Sequence, residues 1–122
     1  PTGMLLFVNA GHPPPFLCSR QRCSTAPTGP QNMLLGVEPF EPEEGCHTFQ
    51  PGERLVLYTD GIVEAADADG NLFGQARLHE ALNAEADGSP DNCVDAVLHA
   101  VDAFCGSAPR KDDQTLVVID RV

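Results

Sequence analysis

The sequence predicts an α+β domain in which antiparallel strands are covered by two C-terminal helices. Three features carry the prediction. Short apolar runs broken by Gly, Pro and Asn fill the first half of the chain. Two helical patterns then follow one another between residues 75 and 105, and a last apolar run, Thr115 to Ile119, supplies a further strand. Strands and helices do not alternate, which argues against repeated βαβ units.

At 122 residues the chain is one domain at most. Its formal net charge of -11, from 18 acidic and 7 basic residues, argues against nucleic acid or an anionic membrane surface as a partner. A phosphate group would also be repelled unless cations intervened. There is no apolar run long enough to insert into a membrane. Cys18, Cys23, Cys46, Cys93 and Cys105 are odd in number and irregularly spaced, which reads as free thiols in a reducing cytoplasm. The chain begins Pro1-Thr2-Gly3, without an initiator Met, and enters a strand pattern within a few residues, as a piece cut from something longer would.

Met4 to Val8 reads as a strand, Asn9-Ala10-Gly11-His12 as a turn, and Phe16-Leu17-Cys18 as a second strand beyond three prolines that cannot donate to a ladder. His12 is either a turn residue or a ligand. Ser19 to Met33 is a loop or irregular edge hairpin. Cys46 to Phe49 is a weak strand, and Pro51-Gly52 is a turn joining it to Leu55-Val56-Leu57-Tyr58, giving an antiparallel hairpin from about Cys46 to Tyr58. A short helical pattern follows Thr59-Asp60-Gly61. Asp67-Ala68-Asp69-Gly70-Asn71 has the residue types of a calcium loop in the wrong register, so it is read as a solvated loop. A helix over about Gln75 to Glu85 buries Leu78, Ala81 and Leu82. In the next, Ser89 is the N-cap and Pro90 the first helical residue. Val94, Val97, Leu98, Val101, Phe104 and Cys105 line its buried stripe, and Gly106 and Pro109 stop it.

Two carboxylate sites stand out, both at strand ends. Asp60 follows the strand 55–58, and Asp112-Asp113 precede the strand 115–119. Antiparallel pairing can bring those ends together, and an oxygen-only ligand set suits Mg²⁺ or Mn²⁺. Such ions can neutralise a phosphoryl group during transfer, which answers the charge problem. The alternative is an Asx-turn at Asp60 and a solvated acidic pair at 112–113. A Cys3His zinc site from Cys18, Cys23, Cys46 and His47 is formally available, but it lacks the tight Cys-x2-Cys knuckle.

Several stretches, taken in order, resemble the C-terminal half of bacterial PPM/PP2C-type Ser/Thr protein phosphatases, in the branch that includes SpoIIE and RsbU. They are Phe7 to Pro15, Thr28-Gly29 through Leu35-Gly36-Val37, Pro51 to Ala65, Asp69 to Gly74, and Asp112-Asp113-Gln114-Thr115-Leu116. The resemblance implies an α/β/β/α sandwich, here a partial domain, with two Mn²⁺ or Mg²⁺ ions in the complete one. Asp60 matches a metal-ligating Asp, Asp112 matches a second, and Asp113 is its neighbour. Thr59 and Gly61 support the first ligand, while Asn9 and His12 shape the site. The implied reaction is attack of metal-bound water on phosphoserine or phosphothreonine of a protein. In this branch that protein is typically an anti-sigma-factor antagonist in a partner-switching pathway.

The chain departs from that family in length. The family's N-terminal half carries an early Asp-Gly metal motif, and nothing in Pro1 to Val8 supplies one. The expectation is therefore that residues 1–122 are the C-terminal part of a phosphatase domain, with the activity belonging to the parent protein. Exposed sheet edges would invite self-association. The competing reading is a non-catalytic regulatory or protein-binding module built on the same fold.

Overall fold

The computed structural model describes residues 2–19, 22–25 and 31–122. In chain order the elements are β1 (Met4–Phe7), β2 (Asn9–Ala10), β3 (Phe16–Ser19), β4 (Arg22–Thr25), β5 (Gln31–Asn32), β6 (Gly45–Thr48), β7 (Arg54–Tyr58), α1 (Asp60–Val63), α2 (Gly74–Ala84), α3 (Pro90–Cys105) and β8 (Leu116–Asp120). An antiparallel four-stranded sheet in the order β4-β3-β7-β8 carries the core. Two smaller pairs flank it in sequence, β1 with β6 antiparallel and β2 with β5 parallel.

Strand alternation explains the layering. Phe16 and Cys18 of β3, and Val56 and Tyr58 of β7, sit at alternate positions and are buried, with Leu116 and Val118 of β8 packed beside them. Ile62, Phe73, Leu78, Leu82, Cys93, Val97 and Val101 cover that face. Helices α2 and α3 thus form one layer over the sheet, as expected. The Ser89 hydroxyl oxygen accepts from the Asn92 amide at 3.2 Å, and Pro90 occupies the first turn of α3. At the other end Gly106 takes φ 57°, a left-handed value that Gly adopts without a Cβ clash, and the helix stops.

Three expectations are corrected. The turn at Pro51-Gly52 forms, with the Glu53 amide donating to the Gln50 carbonyl at 3.0 Å. The hairpin it was expected to close does not, because β6 pairs with β1 while β7 pairs with β3 and β8. β7 has apolar side chains on both faces and takes the central place between two apolar strands. β6, reading Gly-Cys-His-Thr, has little to bury there. Likewise the strands on either side of the turn expected at Asn9 to His12, β1 and β3, do not pair with each other. The Asn9 side chain closes the intervening turn instead, accepting from the His12 amide at 2.8 Å and donating to its carbonyl at 3.0 Å.

The third correction concerns the cysteines. Cys18 and Cys23 are cross-strand partners in the β3–β4 hairpin and are joined by a disulfide, leaving Cys46, Cys93 and Cys105 as thiols. Cys93 is buried and Cys46 exposed. Thr28-Gly29 of the family-like stretch lies outside the described residues.

Arg54 is buried at 5% exposure on the helix-facing side of β7. Its guanidinium forks onto Asp120, Nε to Oδ1 at 2.6 Å and Nη2 to Oδ2 at 2.9 Å. The same group donates to the Glu85 carbonyl at 2.9 Å and the Gly88 carbonyl at 2.6 Å. One side chain thereby ties the α2–α3 connection to the β7–β8 ladder, and the charge is satisfied where burial would otherwise penalise it.

Candidate functional site

The segments that carry Asp60 and Asp112-Asp113 meet because β7 and β8 pair in register. Tyr58 stands opposite Leu116, so the residues just beyond one strand meet those just before the other. Thr59 fastens the junction. Its amide donates to the Thr115 carbonyl at 3.1 Å, its hydroxyl donates to the Asp113 carbonyl at 3.3 Å, and its Oγ1 accepts from the Thr115 amide at 3.0 Å.

Asp60 then opens α1 as an exposed side chain, with Oδ1 accepting from the Gly61 amide at 3.0 Å. Asp112, also exposed, accepts from the Asp113 amide at 2.8 Å. Gly61 is the point of closest approach between the two segments. A Cβ there would lie 2.2 Å from the Asp113 carbonyl oxygen and 3.5 Å from the Asp112 Cβ, so only glycine permits this backbone contact.

The structure therefore brings the segment of Thr59, Asp60 and Gly61 against that of Asp112 and Asp113. The hydrogen bonds of Asn9 and His12 run elsewhere, to each other and, through the Asn9 carbonyl, to the Asn32 side chain at 3.2 Å. Asn32 also bonds both backbone groups of Glu43, a bracing role not visible in its sequence neighbourhood.

Exposed carboxylate oxygens from two adjoining segments suit one side of a Mg²⁺ or Mn²⁺ site. Among the described residues no group of three or more His, Cys, Asp or Glu side chains forms a metal-binding cluster by itself. The loop at Asp67 keeps its oxygens for its own backbone, accepting from the Asp69 and Asn71 amides at 2.9 and 2.8 Å. These bonds, with the Asn71 side chain foremost, hold the Asp67 carboxyl below its ordinary range. The cysteine-zinc alternative is not assembled, since Cys18 and Cys23 are bonded to each other.

A family model described as Stage II sporulation protein E (SpoIIE) matches residues 1–122. The chain belongs to the SpoIIE family. Protein IcfG of Synechocystis sp. (strain ATCC 27184 / PCC 6803 / Kazusa) is 27% identical over 121 residues, which are 98% of this chain and 19% of that protein. The SiaA-PP2C domain of Pseudomonas aeruginosa superposes with a TM-score of 0.81 at 19% identity, covering 97% of this chain and 46% of that one. The manganese-presoaked phosphatase domain of SpoIIE from Bacillus subtilis gives a TM-score of 0.71 at 19% identity, over 97% of this chain and 50% of that one. At such identities the structural likeness speaks for the fold, which is that of PP2C phosphatase domains. This SpoIIE-family chain spans no more than half the length of each of these relatives.

Two hollows mark the ends of the central strands. A cavity of about 190 Å³ lies beside Asp112, with Gly61, Glu64, Arg110, Lys111 and Gln114 also in its wall. A wider one of about 1020 Å³ opens at the opposite end against Arg54, Asp120 and Asp87. Its buried arginine is fully engaged. Lys111, the single lysine of the chain, directly precedes Asp112 in the wall of the smaller hollow. No helix among the described residues is long and apolar enough to cross a membrane.

Proposed function

We propose that the protein carrying this chain hydrolyses phosphoserine or phosphothreonine on a protein, with Mn²⁺ or Mg²⁺ as cofactor. In this reading residues 1–122 are the C-terminal half of the catalytic domain. The observation that carries it is the meeting of Asp60 with Asp112-Asp113 across the Thr59–Thr115 junction, in a chain of the SpoIIE family. Asp60 and Asp112 would hold the metal, with Asp113 beside them. When bound, the metal supplies positive charge to the phosphoryl group and acidifies water.

The protein's own groups have definite tasks. The Gly61 amide fixes one Asp60 oxygen and so aims the other. Thr59 holds the two carboxylate-bearing segments at one separation, and Asn9 and His12 brace the neighbouring turn. Further ligands, and the second of two metal ions, belong to the N-terminal half. The phosphoprotein is proposed to be an anti-sigma-factor antagonist in a cytoplasmic partner-switching pathway, supported by the resemblance to SpoIIE and RsbU. The Cys18–Cys23 disulfide is the feature least in keeping with a reducing compartment.

The test is manganese-dependent release of phosphate from a phosphoserine peptide by the full-length protein. Hydrolysis is expected to disappear in Asp60→Asn and to be absent from residues 1–122 alone. Full activity in the Asp60→Asn protein would remove Asp60 from the site. Binding of the phosphoprotein without hydrolysis would make the domain a binding module.

A further inference from the structure

We infer that Lys111 is a phosphate-recognition residue, its ammonium receiving the phosphoryl group of a phosphoserine or phosphothreonine peptide in the cavity beside Asp112. The inference rests on the functional reading above and deepens it by naming the cation that meets the substrate.

The first support is the engagement of four of the five arginines among the described residues. A chain with a formal charge of -11 repels an anionic substrate, so a local positive group has a large influence on binding. Arg54 is locked onto Asp120 and two carbonyls. Arg77 lies 4.5 Å over the Phe104 ring and donates to the Phe73 carbonyl at 2.9 Å. Arg121 donates to the Phe49 carbonyl, and Arg110, which also lines the cavity, is paired with Asp102. Arg22 sits on the edge strand β4, away from the cavity. Lys111 is exposed, lines the cavity, and has no carboxylate partner among the described residues.

The second support is independent of charge. The Gln114 Oε1 atom is buried and has no hydrogen-bond partner, and Gln114 lines the same cavity. Buried polar atoms are nearly always satisfied, so an orphaned carboxamide marks an arrangement completed by something that enters. Turned about its terminal torsion, the same carboxamide presents its N–H₂ to an anion. The cavity, at about 190 Å³, has the volume of roughly six waters, room enough for a phosphoryl group. An ammonium on a flexible stem suits this task, since it follows the phosphate as a point charge.

The experiment measures binding of a phosphoserine peptide, its unphosphorylated form and inorganic phosphate to the full-length protein in chelator-treated, metal-free buffer. The variants are Lys111→Ala and Lys111→Arg. Lys111→Ala is expected to weaken phosphopeptide binding about tenfold, the size of one charge-assisted hydrogen bond. Binding of the unphosphorylated peptide should be unchanged, Lys111→Arg should retain most of the affinity, and inorganic phosphate should compete. Equal affinity in Lys111→Ala, or equal loss for both peptides, overturns the inference. With metal restored, Lys111→Ala should raise KM by a similar factor at nearly constant kcat, whereas Asp60→Asn removes turnover. A fall in kcat at constant KM in Lys111→Ala also overturns it. If the wild-type protein shows no turnover, the hydrolytic reading fails, and the metal-free binding decides Lys111 separately.

Discussion

Thr59 and Thr115 bond to each other twice: the Thr59 amide donates to the Thr115 carbonyl at 3.1 Å, and the Thr115 amide donates back to the Thr59 hydroxyl oxygen at 3.0 Å. A third bond, from the Thr59 hydroxyl to the Asp113 carbonyl, draws the acidic segment in. Thr59→Val keeps the shape and loses both hydroxyl bonds, at a cost of about 1 kcal/mol. Thr59→Ser should stay near wild type. Urea unfolding reads the stability. Manganese affinity, measured alongside, should fall in the valine variant because Asp60 and Asp112 no longer share a fixed frame.

Gly61→Ala tests the close approach. Its new methyl would meet the Asp113 carbonyl oxygen at 2.2 Å, and backbone cannot step aside as a flexible side chain can. The segments must separate, with a destabilisation of about 2 kcal/mol, typical of overpacking. A lowered melting temperature with weakened metal binding is the expected result. Unchanged values for both would show that the contact is looser than described.

Arg54 and Asp120 set an acid-sensitive part of the stability. The hydrogen bond from Arg54, opposed by burial, holds the Asp120 carboxyl below its ordinary range, and the same bond raises Arg54 above its own. A depressed carboxyl stabilises fully above its unfolded pKa, about 3.9. That contribution fades as pH falls through the lower folded value. The raised Arg54 adds stability at every pH below its ordinary range, so only the acid side varies. Asp120→Asn should therefore flatten the acid limb of a stability-versus-pH curve. Arg54→Ala at neutral pH strands the carboxylate and two carbonyls, and should cost about 3 kcal/mol. This is the low end for a broken buried pair, because the Asp120 side chain is 29% exposed. Chemical denaturation across pH measures both.

Reduction of Cys18–Cys23 should cost about 2 kcal/mol, the chain-entropy value for so short a loop. A melting curve with and without reductant checks it. Alkylation followed by mass spectrometry should add two labels on reduction, at Cys18 and Cys23, beyond those taken by the thiols Cys46, Cys93 and Cys105. A melting temperature indifferent to reductant would show that the hairpin is held by packing alone.

Legibility followed the range of the interaction. The α3 helix could be read from Ser89 to Gly106 because its cap, first proline and apolar stripe all lie within the helix itself. The strand runs were visible for the same reason. Pairing was not, since Pro51-Gly52 announces a turn but says nothing of which neighbours β6 and β7 then choose. The meeting of the segments carrying Asp60 and Asp112-Asp113 was legible because each lies at the end of a strand run that antiparallel pairing can bring to the other. Arg54–Asp120 was missed, although a cation at the same alternating position as Val56 and Tyr58 signals a buried charge in need of a partner. Cys18 and Cys23 read as thiols from the odd number and irregular spacing of the cysteines, whereas the strand patterns on either side of their short connection fit a hairpin with opposed cysteines.

The β7–β8 ladder pairs Tyr58 with Leu116 and Arg54 with Asp120. During synthesis, β7 leaves the ribosome long before its neighbour exists, with one ladder edge unoccupied and the guanidinium of Arg54 lacking its carboxylate. A nascent chain halted inside α3 has Asp60 but no second strand to frame it. The two carboxylate-bearing segments can therefore meet only after residues 112–120 have been made and paired with β7. Stalled or prematurely terminated products of this region carry an open sheet edge and no assembled site, a state that chaperones and proteases can distinguish from the finished domain.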